Sequence, residues 1–152
     1  MEKGRLEEIH KLYFSLIPLF YKCKTFYIDK NRAGEMCNKN QAMAIMIIGK
    51  SEKITPTALS KFINMEKGSL TPLIDSLEEK KLVIRSNDPN DRRKVLLSLT
   101  SDGIELMKTI EEQSQKGLEL MIANLNDTEI DQMHDSLKTL VSIMKIIANT
   151  AI

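Results

Sequence analysis

The chain has 152 residues, 42% of them hydrophobic and 28% charged, with a formal net charge of +1. That suffices for one domain with a modest core, or for a smaller unit joined to helices that need a partner chain. No run approaches the roughly 20 apolar residues that span a bilayer, and the N-terminus lacks the apolar centre of a secretion signal, so a cytoplasmic protein with no membrane association is expected.

Residues 5–30 read as a long helix. Leu6, Ile9, Tyr13, Leu16, Phe20, Cys23 and Tyr27 recur at helical steps and form a seam suited to burial against other helices. Pro18 interrupts it and predicts a bend. Cys23 lies on the seam, where an inert buried thiol is the default. Residues 31–38 mix Asn31, Gly34 and Asn38 and read as a connection, with Cys37 exposed in it. A helix follows over 40–49. Met43, Ile45, Met46, Ile47 and Ile48 make it apolar on more than one side, which predicts a central position. Its methionines suit flexible core filling or the adaptable wall of a small-ligand pocket.

Residues 54–100 carry the densest pattern. Thr55 caps a short helix and Pro56 takes its first position. Leu59, Phe62 and Ile63 give that helix its apolar face. Asn64, Met65 and Glu66 form a joint. A second helix runs to about Lys80, with Leu70, Leu73, Ile74 and Leu77 at 3.6-residue spacing. Leu82, Val83 and Ile84 then make a short apolar run closed by Arg85. Ser86 to Asp91 holds turn formers, and Val95, Leu97 and Leu99 alternate as a returning strand. The order is helix-turn-helix followed by a hairpin wing. Six basic and two acidic side chains lie between Lys80 and Lys94.

Beyond the wing, Thr100 or Ser101 caps a helix that runs to about Asn124, with Gly117 marking a bend or a close approach. Asn126 and Glu129 form a capping-box start for the last helix. There Ile130, Met133, Leu137, Leu140, Met144 and Ile147 alternate steps of three and four. Residues 102–136 carry nine acidic and two basic side chains. A basic wing beside an acidic helical region suits a protein that turns one face to a polyanion.

Several motifs converge on one family. They are Leu59, Ser69-Leu70-Thr71, Leu77-Glu78 and Leu82-Val83-Ile84-Arg85. The most specific are Asp88-Pro89-Asn90-Asp91-Arg92-Arg93, then Leu99-Thr100 and Gly103. The chain resembles the MarR family of dimeric winged helix-turn-helix transcription regulators. The order of elements extends the likeness over nearly the whole length. Two positions depart from the pattern. Pro72 follows the recognition-helix Thr, where a basic residue is frequent, and Lys81 stands where Gly is usual. Pro72 is also similar to the peroxide-sensing subgroup. The sensing Cys of that subgroup falls near Phe14 or Ser15, and Cys23 does not match it.

The resemblance implies a mainly α fold: a winged helix-turn-helix over 37–100 and a helical dimerisation region over 1–36 and 101–152. The first and last two helices would interlock with those of a second chain. The expected partners are double-stranded DNA bearing a pseudo-palindromic operator, a second copy of the chain, and a small aromatic or phenolic effector. The expected function is repression released by that effector. Lys67, Ser69, Thr71 and Pro72 lie on or near the first turns of the recognition helix, where side chains reach base edges. The family pattern makes Arg93 the minor-groove residue and Asp91 its orienter. Arg92 and Lys94 are candidate phosphate contacts, and Arg85 either does the same or braces the wing. Tyr13, Ile17, Met43 and Met46 are candidate pocket-lining residues, and the same residues would serve a plain core.

Other function classes compete. An enzyme has no support from a Gly-rich phosphate loop or a serine nucleophile motif. Cys23 and Cys37 make no CxxC and the two His are far apart, so no zinc site or other cofactor is expected. A winged helix used for protein contacts without specific DNA binding, or a thiol-based redox-responsive regulator, remain open alternatives.

Overall fold

A computed structural model describes residues 3–22 and 37–150. Helix α1 spans Lys3–Lys22 and is continuous through Pro18. The rest of the helix predicted over 5–30, with Cys23 and Tyr27, lies outside the described residues. The seam residues Leu6, Ile9, Tyr13 and Leu16 are all exposed in the single chain.

Helix α2 spans Lys39–Ser51 and opens on a capping box. Asn38 Oδ1 accepts from Gln41 N, and Gln41 Oε1 accepts from Asn38 N, both at 3.0 Å. The helix buries Ala42, Ala44, Ile45 and Ile48, which span more than one face, so it is central. Cys37, expected in an exposed connection, is instead 3% exposed. It directly precedes the capping box and belongs to the buried core cluster.

Helix α3 spans Pro56–Ile63. Thr55 caps it by accepting from Ala58 N at 3.2 Å, and Pro56 opens it. Leu59 is fully buried, but Phe62, expected on the same face, is 68% exposed. Ile63 follows Leu59 at i+4 and keeps to the core side, while Phe62 at i+3 falls off that narrow stripe. Asn64 ends α3 in the left-handed region at φ 54°. Asn tolerates that conformation better than most residues, and Met65 N there bonds back to the Ser60 carbonyl at 3.0 Å.

Helix α4 spans Lys67–Glu79 and buries Leu70, Ile74 and Leu77. It ends in a Schellman motif. Leu82 N donates to Leu77 O at 2.9 Å and Lys81 N to Glu78 O at 2.8 Å. Lys81 occupies the left-handed position of that motif, φ 58°, which explains why Gly suits it better.

Strands β1, Val83–Asn87, and β2, Val95–Leu99, pair antiparallel with Val83 opposite Leu99 and Arg85 opposite Leu97. Val83 and Leu97 face the core. Ile54 adds a single bridge to Leu97, with N–H···O bonds of 3.1 and 2.8 Å. One residue has no periodicity, so the sequence does not announce this bridge.

Helix α5 spans Ser101–Ile122. Thr100 secures its start three ways. Its Oγ1 accepts from Gly103 N at 3.0 Å, its hydroxyl donates to Lys81 O at 2.6 Å, and its N–H donates to Leu82 O at 3.1 Å. A Cβ at Gly103 would collide with the Leu82 carbonyl oxygen. The Leu-Thr-x-x-Gly signature is therefore a joint that lets the helix start sit against the strand entry. Gly103, Leu106 and Ile110 are buried, the last two in the same core as α2–β2.

The chain divides into two compact units, residues 1–117 and 118–152. The second holds the end of α5 and helix α6, Asp127–Thr150. Asn126 and Glu129 cap α6 reciprocally at 3.0 and 2.9 Å. None of its residues is buried, and Ile130, Leu137, Leu140, Met144 and Ile147 are 36–51% exposed. Among the described residues no helix is long and apolar enough to cross a membrane.

Candidate nucleic-acid interface

Helix α4 has two sides. Its core stripe is Leu70, Ile74 and Leu77, while Gly68, Ser69, Thr71 and Pro72 are exposed. Lys67 opens the helix, and its side chain lies outside the described ones. Pro72 lies beyond the first turn, so it removes the bond that an N–H there would give to the Gly68 carbonyl. Glu66 stands at the N-cap without a side-chain cap bond. The N-terminal half of α4 thus presents small hydroxyls and a proline ring, not bulky apolar groups.

The wing tip is built by its own acidic side chains. Asp88 Oδ1 accepts from Asn90 N at 2.8 Å, an Asx turn. Asp88 N donates to Lys94 O at 2.9 Å and closes the loop, and Lys94 N donates to Asp91 O at 2.8 Å. Asp91 Oδ1 accepts from Arg93 N at 3.1 Å and from Arg93 Nε at 3.4 Å. The Arg93 side chain is 93% exposed and that of Asp91 only 30%. The carboxylate is a fixed base for a projecting guanidinium. Arg92 and Lys94 are exposed beside it.

Arg85 is placed differently. Period-two alternation puts it on the same face as the buried Val83. There its guanidinium meets Asp75 Oδ1 at 2.5 Å and also Glu78 Oε2, while Glu78 Oε1 accepts from Arg85 N at 3.3 Å. Of the two roles the sequence leaves for Arg85, this is the geometry of a brace. It ties the wing to α4.

The other candidate residues divide. A cavity of about 440 Å³ lies between α2, the end of α3 and α5. Met43, Met46, Ile47, Phe62 and Ile110 line its apolar part, and Lys39, Lys50, Ser51 and Ser114 supply the polar part. Lys50 pairs with Glu111 at 3.8 Å. Met43 and Met46 were the candidates the structure brings together here. Tyr13 and Ile17 do not line the cavity and lie exposed on α1, 60% and 42%. Phe62 is the lining residue that helical periodicity assigns to the core instead. Burial pushes the Cys37 thiol above its ordinary pKa, against a smaller lowering by the Lys80 ammonium.

Comparison with known proteins agrees with this architecture. The family model described as the MarR family matches residues 37–95. The HTH-type transcriptional regulator SarZ of Staphylococcus haemolyticus is 33% identical over 118 residues, covering 78% of this chain and 76% of that protein. Wild-type MarR from E. coli in its apo form is 26% identical with a TM-score of 0.64, covering 92% of this chain and 97% of that one. FabT of Streptococcus pneumoniae, solved in complex with DNA, shares the fold at 22% identity and a TM-score of 0.60, covering 96% and 99%. A helix-turn-helix packed on a common core, an acid-built wing tip and relatives that match over most of the chain lead to one conclusion: the chain belongs to the MarR family of winged helix-turn-helix transcriptional regulators.

Proposed function

We propose that the protein is a homodimeric, sequence-specific reader of double-stranded DNA that acts as a repressor. The observation that carries this reading is the wing tip, where Asp91 holds a fully projecting Arg93 on the same small domain as the exposed Ser69–Pro72 face of α4. A helix face of that kind enters a major groove, and a guanidinium is drawn to a narrow minor groove. FabT, which shares the fold, is solved on DNA. Ser69, Thr71 and Pro72 would meet base edges, with the Pro72 ring against a thymine methyl. Arg92 and Lys94 would meet phosphates, together with Lys67, and Arg85 would hold the wing at its angle to α4.

In a two-fold dimer the two recognition helices would enter successive major grooves roughly 34 Å apart, which requires a pseudo-palindromic operator. The exposed seams of α1 and α6 supply the apolar surface for that dimer. The cavity beside Met43 and Met46 is the place for a small apolar effector, aromatic or phenolic, that releases DNA. The test is selection from a random duplex pool followed by affinity measurement on the enriched sequence. The proposal expects an inverted repeat, and Thr71→Ala should narrow the gap between operator and random DNA. Retention of no sequence, or binding that ignores salt, would favour a protein-contact module instead.

A further inference from the structure

We infer that Gln41 is a positioning residue for helix α4, gripping its C-terminal half from the side of α2 so that its N-terminal half is held in aim. This rests on the reading of α4 as the recognition helix. Gln41 is the buried polar residue of the described chain, 6% exposed. Both ends of its amide are engaged. Oε1 accepts from Asn38 N at 3.0 Å and from Lys80 Nζ at 3.4 Å, and Nε2 donates to Ser76 Oγ at 3.0 Å. Ser76 and Lys80 are one helical turn apart, so a single side chain holds the last turn of α4 and its cap.

Around this amide the core is apolar. Ala44, Ile45 and Ile48 from α2 and Ile74 and Leu77 from α4 are all buried in one cluster. Apolar contact is non-directional, and by itself it permits small slides of one helix along another. Hydrogen bonds from a buried amide are directional, so they set the register that packing leaves loose. The wing brace acts on the same half of the helix, through Asp75 and Glu78. The polar grips thus cluster between Asp75 and Lys80, while the Ser69–Pro72 face projects ahead of them. A small rotation at the gripped end becomes a displacement at the reading end.

The experiment uses the full chain and an operator enriched by the wild type from a random duplex pool. If the wild type enriches nothing, the DNA reading itself fails and this inference with it. Given an operator, affinity for it and for a random duplex is measured across a salt series, with thermal unfolding alongside. Gln41→Leu should lower the operator-to-random ratio about tenfold, with affinity for random duplex and its salt slope unchanged. Gln41→Glu should restore most of the ratio, because a carboxylate can accept from Asn38 N, Lys80 Nζ and the Ser76 hydroxyl. Ser76→Ala should move the ratio the same way, and the Gln41→Leu/Ser76→Ala double should add little to the larger single effect. An unchanged ratio with only a lower unfolding temperature would overturn the inference, as would strict additivity. If Gln41→Leu does not fold, Ser76→Ala and Gln41→Glu decide by the same ratio.

Discussion

One oxygen of Asp91 accepts from both the backbone N–H and the Nε–H of Arg93, at 3.1 and 3.4 Å. The pair is solvent-facing, so its contribution to stability is small. Its consequence is directional: the backbone bond fixes the turn and the side-chain bond aims the guanidinium. Arg93→Ala should weaken operator binding by about tenfold or more, by loss of a groove contact worth roughly 1–3 kcal/mol. Asp91→Ala should also weaken it, by several-fold, although removing an acid makes the tip more basic. A binder attracted only by charge would tighten instead. Duplex affinities of the two variants at one salt concentration separate these cases by sign.

Arg85 and Lys94 should part company in the same assay. Arg85 is engaged by Asp75 and Glu78, and all three side chains are a third to a half exposed. Such a partly screened network is worth on the order of 1 kcal/mol. Arg85→Ala should therefore lower the unfolding temperature by a few degrees (about 2–5 °C) and leave the salt slope of DNA binding nearly unchanged. Lys94→Ala should leave thermal stability alone and reduce that slope by about one unit. Equal slopes for Lys94→Ala and wild type would remove Lys94 from the phosphate contacts.

Features closed over a few residues are legible in the sequence. Thr55 with Pro56, and Asn126 with Glu129, announce helix starts because a cap and its N–H partner are three residues apart. The stripe of Leu70, Ile74 and Leu77 announces α4 by period alone. The grips on α4 are not legible in that way. Gln41 meets its partners 35 and 39 residues away, and Arg85 meets Asp75 across the turn into the wing. Nothing in a local pattern distinguishes a Gln that ties two helices from one that only caps its own. Phe62 shows the reverse error, since an apolar side chain at helical spacing reads as core but lines a cavity here.

The joint between the wing and α5 yields a pair of opposite effects. Gly103 has its backbone against the Leu82 carbonyl, where no side chain fits. Gly103→Ala should destabilise the protein by about 2 kcal/mol or more, despite the better helix propensity of Ala. Lys81 adopts φ 58° in the Schellman motif that precedes β1. Lys81→Gly should relieve that strain and stabilise by up to about 1 kcal/mol, the unfolded-state freedom of Gly offsetting part of the gain. Urea unfolding of both variants measures the two signs.

Burial of Cys37 makes it a poor nucleophile, because the thiolate is the reactive form and desolvation disfavours it. In the folded protein Cys37 should resist alkylation by iodoacetamide at pH 8 and react readily once unfolded. Cys37→Ser should leave operator binding unchanged by peroxide treatment, as in the wild type, at some cost in stability. Mass spectrometry of tryptic peptides locates the label. Rapid modification of Cys37 in the native state would revive the redox-regulated alternative.

The apolar seams at the two ends of the chain determine the last prediction. On α6, Leu137, Leu140, Met144 and Ile147 are 41–51% exposed, and on α1 Leu6, Ile9 and Tyr13 are 49–60% exposed. Contiguous apolar stripes of this length are rarely left to water, and a two-fold pairing of identical chains is the commonest way to cover them. Light scattering at low micromolar concentration should therefore give twice the 17.3 kDa chain mass. Leu140→Glu places a charge in the middle of the α6 stripe, where a dimer would have to bury it unpaired. It should shift the mass towards that of one chain and abolish operator binding, because one half-site holds too few contacts. Binding to random duplex should survive, since the wing of each chain is intact. A wild-type protein that runs as one chain, or a Leu140→Glu variant that keeps both mass and operator affinity, would show that α6 does not form the interface.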